Sequence, residues 1–134
     1  MMAALEAVRT ALAALPGVAS CKIGIEANVT AASYPLVRIV PTRLQADDPD
    51  MAKATLSVTV YFGNALLEAA DGLETVYEEL LELEALIREA VLFTAPRAAW
   101  QDGERLAITY LDTVFDEDRL VHYKLMASRF EVEG

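Results

Sequence analysis

Two residues of the sequence could together perform nucleophilic chemistry: Cys21, the one cysteine, and His122, the one histidine. Such chemistry needs a thiolate held beside an imidazole base. No local motif supports this pairing, and Cys21 lies on the apolar side of an alternating segment, which favours a buried structural thiol. His122 alternates in phase with Leu120, Lys124 and Met126, and this mixed pattern predicts a position near solvent or at an interface. We therefore expect no catalytic role for either residue.

Two short acidic clusters are the other candidates for chemistry, because carboxylates are the preferred ligands of hard cations. The first cluster contains Asp47, Asp48 and Asp50, and the second is Asp116-Glu117-Asp118. Pro49 interrupts the first cluster, and neither has the spacing of a calcium-binding EF-hand loop, so both patterns are typical of solvated acidic turns. The sequence also lacks a phosphate-binding P-loop, a dinucleotide glycine fingerprint and a nucleophile elbow. We expect no metal, no cofactor and no enzymatic activity.

A third group of residues is suited to a protein interface. Trp100, the one tryptophan, follows Arg97 in a segment predicted as a loop after a helix break at Ala95-Pro96. Tryptophan and arginine are both enriched at binding hot spots. Trp100 could equally fold back over the core, and the sequence leaves both interpretations open.

The segment Thr42–Lys53 is predicted as a long loop, because it shows no apolar periodicity and carries several charged residues. A loop of about twelve residues exceeds what a simple connection needs. We expect this loop to serve assembly and not folding. The candidate interface residues are therefore Arg43, Asp47, Asp48, Asp50, Arg97 and Trp100.

Hydrophobic periodicity predicts seven elements in the order α-β-β-β-α-β-β. The clearest helix is one of about twenty residues from Asp71, in which apolar residues recur every three or four positions. Tyr77, Leu81 and Leu86 widen its apolar face, which predicts packing across a sheet. The other predicted elements are Met2–Leu15, Val18–Glu26, Leu36–Val40, Ala54–Phe62, Arg105–Phe115 and Leu120–Val132. This order indicates a single α+β domain of residues 1–134, with a mostly antiparallel sheet of about five strands and two helices packed on one face.

The composition excludes several classes of protein. The 134 residues are 54% hydrophobic and 24% charged, a balance typical of folded chains and not of disordered ones. Asp and Glu outnumber Lys and Arg by 21 to 11, which gives a net charge of -10 and opposes binding to the phosphates of duplex DNA. No run of about 18 apolar residues is present, so no membrane-spanning helix is expected. A single cysteine excludes an intramolecular disulfide and a multi-cysteine zinc site.

The layout resembles that of the tail terminator (tail completion) proteins of long-tailed phages and prophages. The resemblance lies in a short N-terminal helix that ends at Leu15-Pro16-Gly17-Val18, followed by Lys22-Ile23-Gly24-Ile25-Glu26 and Tyr34-Pro35-Leu36-Val37-Arg38-Ile39-Val40-Pro41. A later strand, a long helix and a C-terminal hairpin follow in the same order. The resemblance covers nearly the whole chain at the level of layout and includes no catalytic or ligand-binding motif.

The resemblance implies a non-enzymatic α+β subunit of a hexameric ring at the head-proximal end of the tail tube. The implied partners are further copies of the chain, the tail tube protein and the head-tail connector. The implied location is the virion tail, after assembly in the host cytoplasm and without contact with a membrane. DNA would pass through the ring without specific binding, and a negatively charged channel would favour that passage.

Other functions remain open from the sequence. One alternative is a small α+β ligand-binding or regulatory module, which would show a pocket with convergent polar groups. Another is a different head-tail connector protein of similar size. An acid-base enzyme would need two carboxylates in one cleft, and no spacing in the sequence marks such a pair.

Overall fold

A computed structural model describes residues 2–24, 35–46, 54–65, 73–115 and 123–133. In these ranges the chain forms three α-helices, a π-helical turn and five strands. The elements are α1 (Met2–Ala13), β1 (Ser20–Ile23), β2 (Leu36–Ala46), β3 (Ala54–Ala65), α2 (Leu73–Glu89), the π-helical turn (Ala90–Thr94), α3 (Ala95–Gln101), β4 (Ala107–Phe115) and β5 (Tyr123–Glu133). The α+β class predicted from the sequence is therefore confirmed.

The five strands form one mixed sheet in the order β1-β2-β3-β5-β4. β1 runs parallel to β2, with Ser20 opposite Leu36 and Ile23 opposite Ile39. The neighbours β2-β3, β3-β5 and β4-β5 are antiparallel. The prediction of a mostly antiparallel sheet is corrected to a mixed sheet, because β1 and β2 run in the same direction. The predicted antiparallel pairing of the last two strands is confirmed.

Alternate residues of the strands face the helices and form the core. In β3 these residues include Val58, Val60 and Phe62, and in β5 they include Met126 and Phe130. They pack with the buried faces of the helices, so the helices cover one face of the sheet and the period of two decides which strand residues are buried. The buried helix residues are Leu5, Val8, Ala11 and Leu12 of α1 with Leu80 and Ile87 of α2.

The apolar face of α2 is narrower than the sequence predicts. Leu80 and Ile87 are buried, as expected, whereas Tyr77, Leu81 and Leu86 are exposed. A helix that lies on a flat sheet buries only the stripe that touches the strands. The residues that flank this stripe therefore remain in solvent, although their spacing would fit a wider buried face.

The predicted helix break at Ala95-Pro96 is wrong. α2 continues through the π-helical turn into α3, and the N–H of Ala95 donates to the carbonyl of Ala90, five residues back. Proline lacks an N–H group, and its ring collides with the carbonyl four residues before it in a regular α-helix. A π-helical turn widens the helix at this point, which accommodates Pro96 at the start of α3. Trp100 and Gln101 therefore lie in a helix and not in a loop.

The predicted loop Thr42–Lys53 is also corrected, because its first part belongs to β2, which extends to Ala46. Pro41 lies beyond the part of β2 that pairs with β1, so its missing N–H leaves no partner unpaired on that side. The ladder to β3 shifts by one residue between Pro41 and Arg43, and the Thr42 hydroxyl donates to the carbonyl of Ser57 at 3.1 Å. Residues 47–53 lie outside the described ranges.

Candidate assembly surfaces

Among the residues whose exposure the structure describes, the most exposed aromatic side chains lie on one face of the continuous helix. Phe93 is 64% exposed and Trp100 is 75% exposed, and Arg97 between them is also exposed. Spacings of four and three residues place these side chains on the same side of a helix. Ala95 and Ala99 are buried on the opposite side, so α3 attaches to the core through small residues. We call the surface formed by Phe93, Arg97 and Trp100 the aromatic face.

The structure excludes one of the two interpretations of Trp100. The side chain does not fold back over the core, because the buried positions of α3 are occupied by alanines. A tryptophan that remains in solvent next to an exposed phenylalanine is typical of an interaction surface. The sequence prediction named Arg97 and Trp100 but not Phe93, because the spacing of seven residues between Phe93 and Trp100 indicates the same face only when the helix continues past Pro96.

The other predicted interface residue that the structure describes, Arg43, does not join this surface. Arg43 is exposed on β2, a different element from the aromatic face. Asp47, Asp48 and Asp50 lie outside the described residues, as do the cluster Asp116-Glu117-Asp118 and His122. The part of the chain that the structure describes contains no group of three or more His, Cys, Asp or Glu side chains arranged to hold a metal ion.

Strand β4 forms the second exposed apolar surface. It is the last strand of the sheet, and Leu111, Val114 and Phe115 are all partly in solvent. The ladder to β5 shifts by one residue between Tyr110 and Asp112, so Leu111 is the extra residue of a β-bulge. We call the side of β4 that faces away from β5 the β4 edge.

An ion pair holds β4 to β5 next to this bulge. The Arg129 Nε donates to Asp112 Oδ1 at 2.6 Å, and the Arg129 Nη2 donates to Asp112 Oδ2. The hydrogen bonds from Arg129 and its positive charge lower the pKa of Asp112 below the usual range and raise the pKa of Arg129. This two-point contact orients the Asp112 carboxylate along the open face of the sheet.

A partly buried polar cluster lies under the same strand, on the side of the helices. The Thr113 hydroxyl is 2.7 Å from the Tyr110 hydroxyl and 2.8 Å from that of Ser128, and it donates to Glu84 Oε1 at 3.4 Å. Arg88 pairs with the same Glu84 oxygen at 3.4 Å and lies over the Tyr110 ring. Each group has a hydrogen-bond or ion-pair partner, as partly buried polar groups require, and the cluster links α2 to the last two strands. Sequence reasoning did not find it.

The thiol of Cys21 occupies a structural position on β1. Cys21 is partly buried against the core, and its sulfur donates weakly to the carbonyl of Arg9 at 3.8 Å. Burial raises the pKa of the thiol, although the positive charges of Arg38 and Arg9 oppose that shift. A raised pKa reduces the thiolate population and so disfavours a nucleophile.

A groove of about 490 Å³ separates α1 from the end of α3. Half of its lining residues are alanines, such as Ala7, Ala11 and Ala98, and the other half are polar or charged: Glu6, Arg9, Thr10, Thr94, Asp102 and Glu104. Its volume is sufficient for a small ligand, and its polar side chains could make directional contacts of the kind that specific sites rely on.

Comparison with known proteins adds no assignment: no protein-family model matches the chain, and no curated protein matches it. Within the described residues, no helix has the length and apolar character needed to cross a membrane.

Proposed function

We propose that the chain is a structural protein of a phage or prophage tail that caps the tail tube as a ring and forms the surface to which the head joins. The observation that carries the proposal is the aromatic face of Phe93, Arg97 and Trp100. Exposed aromatic and arginine side chains on a rigid helix are the residue types that dominate binding energy at protein interfaces. The resemblance of the chain layout to tail terminator proteins supports the choice of partners.

The attachment of α3 favours a contact that needs a fixed geometry. The π-helical turn joins α3 to α2, and buried Ala95 and Ala99 hold it against the rest of the protein. A subunit of a ring must present the same surface to each neighbour at the same angle. Side chains on a helix that packs on the core meet this requirement better than side chains on a loop would.

The net charge of -10 agrees with a role around passing DNA. A negatively charged channel repels phosphates, so a duplex moves through without being retained. The proposed partners are neighbouring copies, the tail tube protein and the head-tail connector, and the proposed location is the virion tail.

The test compares Trp100→Ala and Arg97→Ala with the control Leu81→Ala, which also truncates an exposed side chain on the same continuous helix. Each variant is assayed for ring formation by light scattering and electron microscopy, with and without purified tail tubes, and for tail yield in complementation of a deletion. We expect Trp100→Ala to reduce ring or tail yield at least tenfold without changing the melting temperature. Leu81→Ala should keep the wild-type yield of rings and tails.

A normally folded Trp100→Ala variant that completes tails at the wild-type yield would contradict the role of the aromatic face. If the wild-type chain neither binds tail tubes nor restores tails to the deletion, the assignment to tails is wrong.

A further inference from the structure

The two borders of the sheet differ in how well they are protected against pairing with another strand. β1 is only four residues long and carries the exposed Lys22, and short length and lysine are common protections of an edge strand. β4 is nine residues long with the sequence AITYLDTVF, which contains no lysine, arginine, proline or glycine. Within the described residues, β4 pairs only with β5. An edge of this kind is a template for an added strand.

We propose that the β4 edge binds the β4 edge of a second copy of this chain in an antiparallel, two-fold symmetric contact. This proposal goes beyond the proposed function and does not rest on it, because neighbours around a ring contact each other head to tail and do not use a two-fold axis.

Charge favours a second copy as the occupant. Asp112 is the one charged residue of β4, and Arg129 of the same chain neutralises it through two contacts on the open face of the sheet. Two β4 strands can therefore approach without placing uncompensated like charges together, although each chain carries a net charge of -10. The contact should consequently strengthen with salt, which screens the repulsion between the rest of the two molecules.

The bulge at Leu111 gives β4 a register in which it matches itself. Tyr110 lies opposite the core residue Phe130, and Thr113 lies opposite the core residue Ser128, so both face the helices. In a regular strand, residues three apart would point to opposite faces. The extra residue of the bulge keeps Tyr110 and Thr113 on the same face of the sheet. When two copies of β4 pair antiparallel, each residue can therefore lie opposite a residue of the other copy that faces the same side of the sheet. The pairs in that register are Ile108 with Phe115, Thr109 with Val114, Tyr110 with Thr113, and Leu111 with Asp112.

The two outer pairs are chemically compatible. A branched aliphatic residue opposite an aromatic residue and a β-branched residue opposite another are favourable cross-strand pairs. The contact would also remove the exposed Val114 and Phe115 from water. Pairing with the four-residue β1 of a second copy would cover less than half of β4, which favours β4 as its own partner.

The contact is small by the standard of stable dimers. A stable interface buries about 800 Å² on each partner, and one strand of nine residues buries less. We therefore expect a dimer that forms reversibly as the protein concentration rises from micromolar to millimolar.

The first experiment measures mass against concentration by sedimentation equilibrium for the wild type, Val114→Lys and the control Leu44→Lys. Val114 and Leu44 are both about half exposed on strands, and only Val114 lies on β4. We expect Val114→Lys to weaken dimerisation at least tenfold and Leu44→Lys to leave it unchanged. A wild type that is monomeric at all concentrations, or equal weakening by both variants, would overturn the proposal.

The second experiment tests the register with single cysteines in a Cys21→Ser background. Thr109→Cys and Val114→Cys should each fail to form disulfide dimers alone, because like positions lie roughly 15 Å apart in this register and a disulfide spans less than about 7 Å between Cα atoms. A mixture of the two variants, one carrying a size tag, should give the mixed disulfide. Disulfide dimers of either variant alone, or no mixed disulfide, would refute the two-fold register even if the chains associate.

Discussion

Replacement of Leu80 by alanine tests the packing of α2 on the sheet, on which the architecture depends. Leu80 is 1% exposed and belongs to the core. The change removes three carbon atoms, which at about 0.8 kcal/mol for each buried methylene corresponds to about 2.4 kcal/mol of lost transfer free energy. The cavity that remains adds to this cost, so we expect a destabilisation of about 2.5–5 kcal/mol. For a chain of this length, each kcal/mol lowers the melting temperature by about 3–5 °C.

The adjacent leucine supplies a matched control for this prediction. Leu81 lies in the same helix but is 49% exposed, so Leu81→Ala should cost less than about 1 kcal/mol. Urea unfolding followed by circular dichroism gives both values. An unchanged slope of the free energy of unfolding against urea concentration shows that both variants expose a similar surface area on unfolding. If Leu80→Ala costs no more than Leu81→Ala, the assignment of the buried face of α2 is wrong.

The two perturbed pKa values lead to further predictions. Because Arg129 lowers the pKa of Asp112, the ion pair adds stability above the unfolded-state pKa near 3.8 and loses it as the pH falls through the folded-state value. The difference in urea midpoint between the wild type and Asp112→Asn should therefore shrink as the pH falls through the folded-state pKa of Asp112. A difference that stays constant with pH would show that Arg129 does not lower this pKa. Because burial raises the pKa of Cys21, iodoacetamide should alkylate it more slowly in the folded protein than in urea at the same alkaline pH. Equal rates would show that the thiol is not protected, and Cys21→Ser should lower stability only modestly while assembly is retained.

Local sequence pattern predicts an element correctly where the tertiary contacts of that element agree with the pattern. The alternation of β3 and the three- and four-residue spacing of α1 and α2 predict the correct element types and correctly place Leu80 and Ile87 in the core. The pairing of the last two strands also follows from local pattern, because a short connection between two strands favours an antiparallel hairpin. In these cases the side-chain period and the chain direction follow from adjacent residues alone.

Proline misleads sequence reasoning where the backbone around it can adapt. Local pattern predicts that elements end at Pro41 and Pro96, yet β2 shifts its register after Pro41 and the helix widens before Pro96. A proline ends an element where a neighbouring carbonyl needs its absent N–H or where its ring collides with the preceding turn. That condition belongs to the folded structure.

The surfaces could be foreseen only in part for a similar reason. Residue type marked Arg97 and Trp100 as suited to an interface, but only the packing of Ala95 and Ala99 against the core turned Trp100 outward beside Phe93. Likewise, the residues of β4 predict a strand but not its place at the border of the sheet. The parallel contact of β1 with β2 also arises from long-range pairing. The sequence alone determined which residues prefer strand, helix or burial, because those preferences are local, whereas strand order, pairing direction and exposure depend on contacts between distant segments and were decided by the tertiary structure.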